Sequence, residues 1–185
     1  NKFREKKYSI KSVSRQKTAD FVIKNYSINE IEKVIKLAKA NLIINTVALT
    51  NLEHCESYKT LAYEINAKIC ESLSELQILY NFKIIHISTD QVYSGIGPHK
   101  EENCYPINNY GKTKLIGENF LNKKNSLIIR TNFFGKSISR KPSYTDWLIE
   151  RYSRNPYQKI KISKSFFSPL NLETLIDLIE KAFFD

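Results

Sequence analysis

Ile84-Ile85-His86-Ile87-Ser88-Thr89-Asp90 is followed, after a loop, by Pro106-Ile107-Asn108-Asn109-Tyr110-Gly111-Lys112-Thr113-Lys114-Leu115-Ile116-Gly117-Glu118. The first run is apolar and β-branched and ends in two hydroxyls and a carboxylate. It reads as a buried parallel strand whose carboxyl end delivers polar side chains. Open α/β sheets bind their ligands at those ends. Gly95, Gly97, Pro98 and Pro106 punctuate the loop, and the second run then reads as a helix. Tyr110 and Lys114 are four apart and share one face of it.

That spacing has chemical meaning. An ammonium close to a phenol favours the phenolate, which brings a Tyr toward use as a proton donor and acceptor. A strand-end hydroxyl such as Thr89 can hold a carbonyl oxygen while it is protonated. Together these groups suit carbonyl reduction, or its reverse, beside a hydride-carrying nicotinamide. Tyr-x-x-x-Lys alone is common on solvated helix faces. Its weight here comes from the strand ending in Ser-Thr-Asp and from the Gly-Lys-Thr-Lys-Leu-x-Gly-Glu context of the helix.

Ile87-Ser88-Thr89-Asp90-Gln91-Val92-Tyr93 and Asn109-Tyr110-Gly111-Lys112-Thr113-Lys114-Leu115-Ile116-Gly117-Glu118 resemble motifs of the extended short-chain dehydrogenase/reductase superfamily. More narrowly, they are similar to those of the dTDP-4-dehydrorhamnose reductase family of nucleotide-sugar reductases. The resemblance implies a Rossmann-like, doubly wound parallel α/β sheet with part of a small substrate lobe. It divides the chain into a dinucleotide-binding domain over residues 1–135 and a lobe with a returning helix over 136–185. It also implies catalytic roles for Thr89, Tyr110 and Lys114: carbonyl binding, proton donation, and lowering of the Tyr pKa together with contact to the nicotinamide ribose.

The 42% hydrophobic and 12% aromatic content over 185 residues suits a globular chain with a proper core. No apolar run approaches the ~20 residues of a membrane span, and the charged start is unlike a signal peptide. Cys55, Cys70 and Cys104 fit neither a disulfide framework nor a metal spacing, so reduced thiols in a cytoplasm are expected and no metal is. The net charge of +10 is spread along the chain without a sustained basic run. Nucleic acid is therefore not an expected partner, although the charge helps attract diphosphates.

In chain order, Phe3–Lys7 reads as the tail of a helix and Tyr8–Ser14 as a strand closed by Arg15. By resemblance Arg15 favours NADPH over NADH through the 2′-phosphate, and Asn25 stands where the family often has an Asp near the adenine. Asp20–Lys24 reads as a short strand. Ser27-x-x-Glu30 forms a capping-box pattern before a helix with Ile28, Ile31, Val34, Ile35 and Ala38 on its core face. Leu42-Ile43-Ile44 is a buried strand. Asn45-Thr46-Val47-Ala48-Leu49-Thr50 resembles the family's Asn-x-Ala-Ala-x-Thr, whose backbone lies along the cofactor. Asn45, Val47 and Ala48 become cofactor contacts on that basis, with Val47 crowding the approach, and Thr50 becomes a substrate contact.

Ser57–Tyr80 reads as one long helix with Leu61, Ile65, Ile69, Leu73 and Leu76 inward and Asn66 as a structural polar residue. His54 and His86 read as satisfied or solvated side chains. Leu127–Arg130 is a further buried strand. Arg130-Thr131-Asn132-Phe133-Phe134-Gly135 resembles the superfamily's Arg-x-Asn-x-x-Gly or Arg-Thr-x-Trp patterns, and by that resemblance Asn132 is a candidate for the substrate diphosphate and Asp90 for orienting the carbonyl. Ser143–Glu150 is a helix ending before Asn155-Pro156, Lys159–Ser163 a strand, Phe166–Leu172 a passage back to the main domain, and Leu172–Phe183 an amphipathic helix. Thr174 stands where the family commonly has an Asp.

The sequence has no Met, and its first glycine is Gly95. The resemblance therefore implies an excerpt, with a first strand and glycine-rich turn of roughly 25–30 residues expected ahead of Asn1. The expected activity is NADPH-dependent (or NADH-dependent) reduction of a 4-keto nucleotide-sugar in deoxysugar or polysaccharide biosynthesis. Two alternatives stay open: a non-catalytic regulatory or remnant member, and a nucleotide-sugar epimerase or dehydratase. A homodimer is a further open expectation.

Overall fold

The structure is a computed structural model describing residues 8–137, 143–157, 159–160 and 169–184. The chain falls into two compact units, Asn1–Arg130 and Thr131–Asp185.

The first unit is α/β. Its elements are β1 (Val13–Ser14), β2 (Phe21–Val22), α1 (Ile28–Ala38), β3 (Leu42–Asn45), α2 (Leu52–Ser57), α3 (Lys59–Tyr63), a π-helix (Glu64–Lys68), α4 (Ile69–Tyr80), β4 (Lys83–Ser88), a 3₁₀ turn (Asp90–Val92), α5 (Asn109–Phe120) and β5 (Ser126–Arg130). β1 and β2 pair in parallel, and β3, β4 and β5 form a second parallel sheet with β4 in the middle. Helices between parallel strands give the βαβ layering of doubly wound folds. Ile31 and Ile35 of α1 meet Ile69, Leu73 and Leu76 of α4, with Phe82, Ile84 and Leu121, in one apolar cluster.

Four local expectations are corrected. The strand expected over Tyr8–Ser14 is confined to Val13–Ser14, because Ser12 N–H and Oγ both donate to Asp20 Oδ2 at 2.8 Å and hold the segment by side-chain bonds. Ser27 stands at the N-cap of α1 without a side-chain cap. Its expected box partner Glu30 instead accepts from the Lys24 N–H at 3.2 Å. The single helix over Ser57–Tyr80 is broken at Tyr58, whose ψ of 63° is not helical, and widened over Glu64–Lys68. The extra residue of a π-turn rotates the buried face, so Leu61 is 47% exposed while Ala62 and Asn66 are fully buried. Finally, β3 and β5 are half-buried rather than buried, as the two edge strands flanking β4.

Two glycines set the height of α5. A Cβ on Gly117 would stand 2.5 Å from Asn66 O, and one on Gly111 would overlap Gln91 O. Glycine at these positions lets the helix backbone lie directly on the π-turn and on the 3₁₀ turn.

The second unit holds β6 (Asn132–Phe134) paired in parallel with β7 (Pro169–Asn171), α6 (Tyr144–Arg154) and α7 (Leu172–Phe184). α6 opens with a reciprocal capping box between Ser143 and Asp146, and it stops before Asn155-Pro156 as its sequence predicts. Phe3–Lys7, most of Lys159–Ser163 and Phe166–Ser168 lie outside the described residues. Among the described residues, no helix is long and apolar enough to cross a membrane.

Candidate active site

β4 ends at Ser88, and the chain turns at Thr89, which caps the 3₁₀ turn. The Thr89 hydroxyl accepts from the Gln91 N–H and donates to Asp90 Oδ1, both at 3.2 Å. Opposite it, α5 is started by Asn108, whose Oδ1 accepts from the Gly111 N–H at 2.7 Å and whose Nδ2 donates to Gln91 Oε1 at 2.8 Å. The strand end and the helix start are therefore tied through Gln91. Asn109 adds a second tie, donating to Cys55 O at 2.6 Å through Nδ2 and to Glu56 through its N–H.

Tyr110 is 9% exposed and packs against Cys55, Ala62 and Leu49. Burial pushes its phenol above the ordinary 10.0, and the nearby Thr89 hydroxyl offsets part of that rise. Lys114, one turn on, is 1% exposed. Its Nζ lies 2.8 Å from Ile87 O and 3.1 Å from His86 Nε2. Burial pulls it down to about 8, against the opposing pull of Cys70 and Glu118. The sequence led us to expect Lys114 to depress the Tyr110 pKa. In this structure burial governs the phenol, and the lysine is engaged with β4 instead.

Asn45 is buried at the end of β3, with Nδ2 3.1 Å from His86 Nδ1 and Oδ1 accepting from the Val47 N–H at 3.1 Å. Val47 and Ala48 are half-buried on the turn that follows, and the Val47 side chain packs against the apolar cluster. Thr50 is exposed. Arg15 is exposed after β1, its guanidinium 5.5 Å over the Tyr26 ring. Thus Thr89, Asp90 and Tyr110 form one group, and Asn45 and Lys114 meet through His86. Asn132 belongs to the second unit, where its Oδ1 accepts from the Phe133 N–H at 3.0 Å. Among the described residues, no group of three or more His, Cys, Asp or Glu could hold a metal.

Residues 2–160 match the RmlD substrate binding domain family. The chain belongs to that family. A dTDP-4-dehydrorhamnose reductase of Aggregatibacter actinomycetemcomitans is 37% identical over 109 residues, 56% of this chain and 37% of that protein. The chain thus spans well under half the length of this curated relative. A solved structure described as a hypothetical dTDP-4-dehydrorhamnose reductase from Sulfolobus tokodaii superposes with a TM-score of 0.79 at 28% identity, covering 96% of this chain and 65% of that one. A UDP-glucose 4-epimerase of Thermotoga maritima reaches a TM-score of 0.80 at 16% identity, over 99% of this chain and 68% of its own. That last likeness is one of Rossmann-like fold alone.

In this family member, sequence reasoning missed two residues that organise the site. His86 reads as an ordinary buried histidine until its neighbours are placed. Arg130 reads as part of a motif, yet its Nη2 meets Glu118 Oε2 at 2.6 Å, its Nε lies 3.0 Å from the same oxygen, and its Nη1 reaches Tyr93 Oη at 2.7 Å. Glu118 also accepts from Ser88 Oγ. A signal for both was present: His86 and Ser88 are two apart on a strand, and Lys114 and Glu118 are four apart on a helix. One polar stripe therefore faces another.

The donor set fits the nicotinamide end of a dinucleotide. A protonated phenol, a hydroxyl and a buried amino group, whose bond to Ile87 O leaves further N–H capacity, stand at the carboxyl end of a parallel sheet.

Proposed function

We propose that the native protein reduces the 4-keto group of a nucleotide-sugar with NADPH, as a dTDP-4-dehydrorhamnose reductase-like enzyme of deoxysugar or polysaccharide biosynthesis. The observation that carries this reading is the buried, protonated Tyr110 beside the Thr89 hydroxyl. Reduction of a ketone consumes a proton at oxygen, and a phenol at or above the ordinary 10.0 still holds that proton at neutral pH. Thr89 turns its one hydroxyl proton from Asp90 Oδ1 to the carbonyl oxygen, and Asp90 holds that hydroxyl in place until the ketone arrives. Tyr110 delivers its proton to that oxygen as the C–O double bond becomes an alcohol. A reduced nicotinamide, when bound, supplies the hydride to the carbonyl carbon. Lys114 meets the nicotinamide ribose. The Asn45–Val47–Ala48 backbone lies along the dinucleotide, Arg15 meets its 2′-phosphate, and Thr50 and Asn132 contact the substrate.

The first unit then carries the cofactor contacts together with Thr50, Thr89, Asp90 and Tyr110. Three free thiols suit the reducing cytoplasm, and we assign the protein there, with a homodimer as its expected state and no nucleic-acid partner. Incubating the native protein with NADPH and dTDP-4-dehydrorhamnose tests the reading. Loss of NADPH absorbance with one equivalent of alcohol formed is the expected result. Isomerised sugar without net oxidation of NADPH identifies an epimerase, and absence of both identifies a non-catalytic member.

A further inference from the structure

His86 is fully buried on the central strand, between positions that carry isoleucine. A buried imidazole costs free energy unless both nitrogens are satisfied, so its partners decide its form. Asn45 Oδ1 is committed to the Val47 N–H, which fixes the amide with Nδ2 toward His86 Nδ1 at 3.1 Å. An amide nitrogen only donates, so Nδ1 accepts, and a neutral imidazole then carries its proton on Nε2. That N–H points at Lys114 Nζ, 3.1 Å away. Only an amine, not an ammonium, can accept it.

We infer that His86 is a positioning residue for Lys114, and that its tautomer couples the charge on Lys114 to the hydrogen bond that holds the Asn45–Val47 turn. With Lys114 neutral the chain of donors runs from Asn45 to His86 to Lys114 without conflict. With Lys114 charged, Nε2 must accept and Nδ1 must carry the proton. It then faces the Asn45 amide nitrogen, and relief requires the amide to turn, releasing the Val47 N–H. Burial sets the lysine near 8 and the histidine near 3, so the imidazole stays neutral while the lysine titrates. The other groups bearing on Lys114 are Cys70 from α4 and Glu118 from α5. Any ligand offering acceptors to Lys114 Nζ favours the ammonium and is linked to the turn through His86, and by reciprocity the turn is linked to that ligand.

The functional weight of this coupling rests on the proposed placement of the cofactor beside Lys114. Its test does not. ¹⁵N spectra of the histidines of the ligand-free chain distinguish the two neutral tautomers. Three histidines are present, and His86→Phe assigns the signal. The expected result is a His86 that stays neutral down to about pH 4 and passes from the Nε2–H to the Nδ1–H form as pH falls through the titration of Lys114. Lys114→Met should abolish that step. A His86 that holds one tautomer from pH 6 to 10, or protonates near the ordinary 6.5, overturns the inference. If ketone reduction proved absent while the tautomer step was present, the proposed activity alone would fall.

Discussion

Asn66 grips both backbone groups of Leu49. Its Oδ1 accepts from the Leu49 N–H at 2.7 Å, and its Nδ2 donates to Leu49 O at 3.2 Å and to Thr113 Oγ1 at 3.0 Å. The fully buried amide thus fastens the turn after β3 to the π-helix and to α5. It replaces, for one residue, the strand ladder that Leu49 has left. Asn66→Ala would leave the part-buried Leu49 N–H and the Thr113 hydroxyl without the amide, while Leu49 O keeps the Cys55 thiol at 3.1 Å. We expect a loss of about 3 kcal/mol, read as a lower denaturant midpoint with an unchanged slope. A loss below roughly 0.5 kcal/mol would mean that water replaces the amide easily.

Gly117→Ala tests the close seating of α5. The new methyl would meet the backbone carbonyl of Asn66 at 2.5 Å and Cys70 Sγ at 3.2 Å, and a π-turn carbonyl cannot move aside as a side-chain tip can. In an open helix this substitution stabilises by roughly 0.8–1.0 kcal/mol. Here we expect the opposite sign, a destabilisation of about 1–3 kcal/mol, measurable by thermal unfolding.

Arg130 and Glu118 form a largely buried pair, with side chains 19% and 2% exposed. Removing the cation alone leaves a buried carboxylate whose remaining hydrogen-bond partner among the described residues is Ser88. Arg130→Met should cost about 3–5 kcal/mol and release the loop that Arg130 holds through Glu101 O at 2.6 Å. Replacing Glu118 by Gln in the same chain should recover part of that loss. Additive losses in the double-mutant cycle would show that the two side chains act separately.

The depressed pKa of Lys114 fixes the sign of a stability profile. Below about 8 the lysine is charged in both folded and unfolded chains, and the cost of burying the charge is fully present. Between about 8 and the ordinary 10.5 the unfolded chain holds a proton that the folded chain has lost, so stability rises with pH. The Lys114 contribution over the whole window is of order 3 kcal/mol. Burial raises the thiols of Cys55, Cys70 and Cys104, Cys70 from 9.0 to about 11, and these act oppositely once pH passes about 9, as does Tyr110 above its ordinary 10.0. Urea unfolding from pH 7.5 to about 9.0 should therefore show increasing stability, and Lys114→Met should flatten it.

Much of the layout was legible because periodicity and punctuation agree. Ile84–Asp90 and the Asn109–Glu118 helix place Thr89, Tyr110 and Lys114 without help from tertiary structure, and α1 follows its apolar spacing. The misreadings share one physical origin. A π-turn keeps helical composition while shifting the buried face by one residue, so Leu61 and Ala62 exchange roles without a compositional trace. The capping box at Ser27 failed because Glu30 had a competing backbone donor six residues upstream in Lys24. Lys114 was correctly placed on the Tyr110 face, but helix spacing says nothing of the strand carbonyl and imidazole that engage its amino group. Long-range partners of buried polar groups lie beyond local pattern.

The central claim is that Tyr110 supplies the proton to a carbonyl oxygen. Steady-state reduction of dTDP-4-dehydrorhamnose by the native protein carrying Tyr110→Phe, with NADPH binding measured alongside by fluorescence titration, tests it most directly. We predict that kcat falls by about 10²–10⁴-fold while the dissociation constant of NADPH changes little, since phenylalanine keeps the packing on Cys55, Ala62 and Leu49. Near-normal kcat with intact cofactor binding would contradict the account and assign the proton to another group.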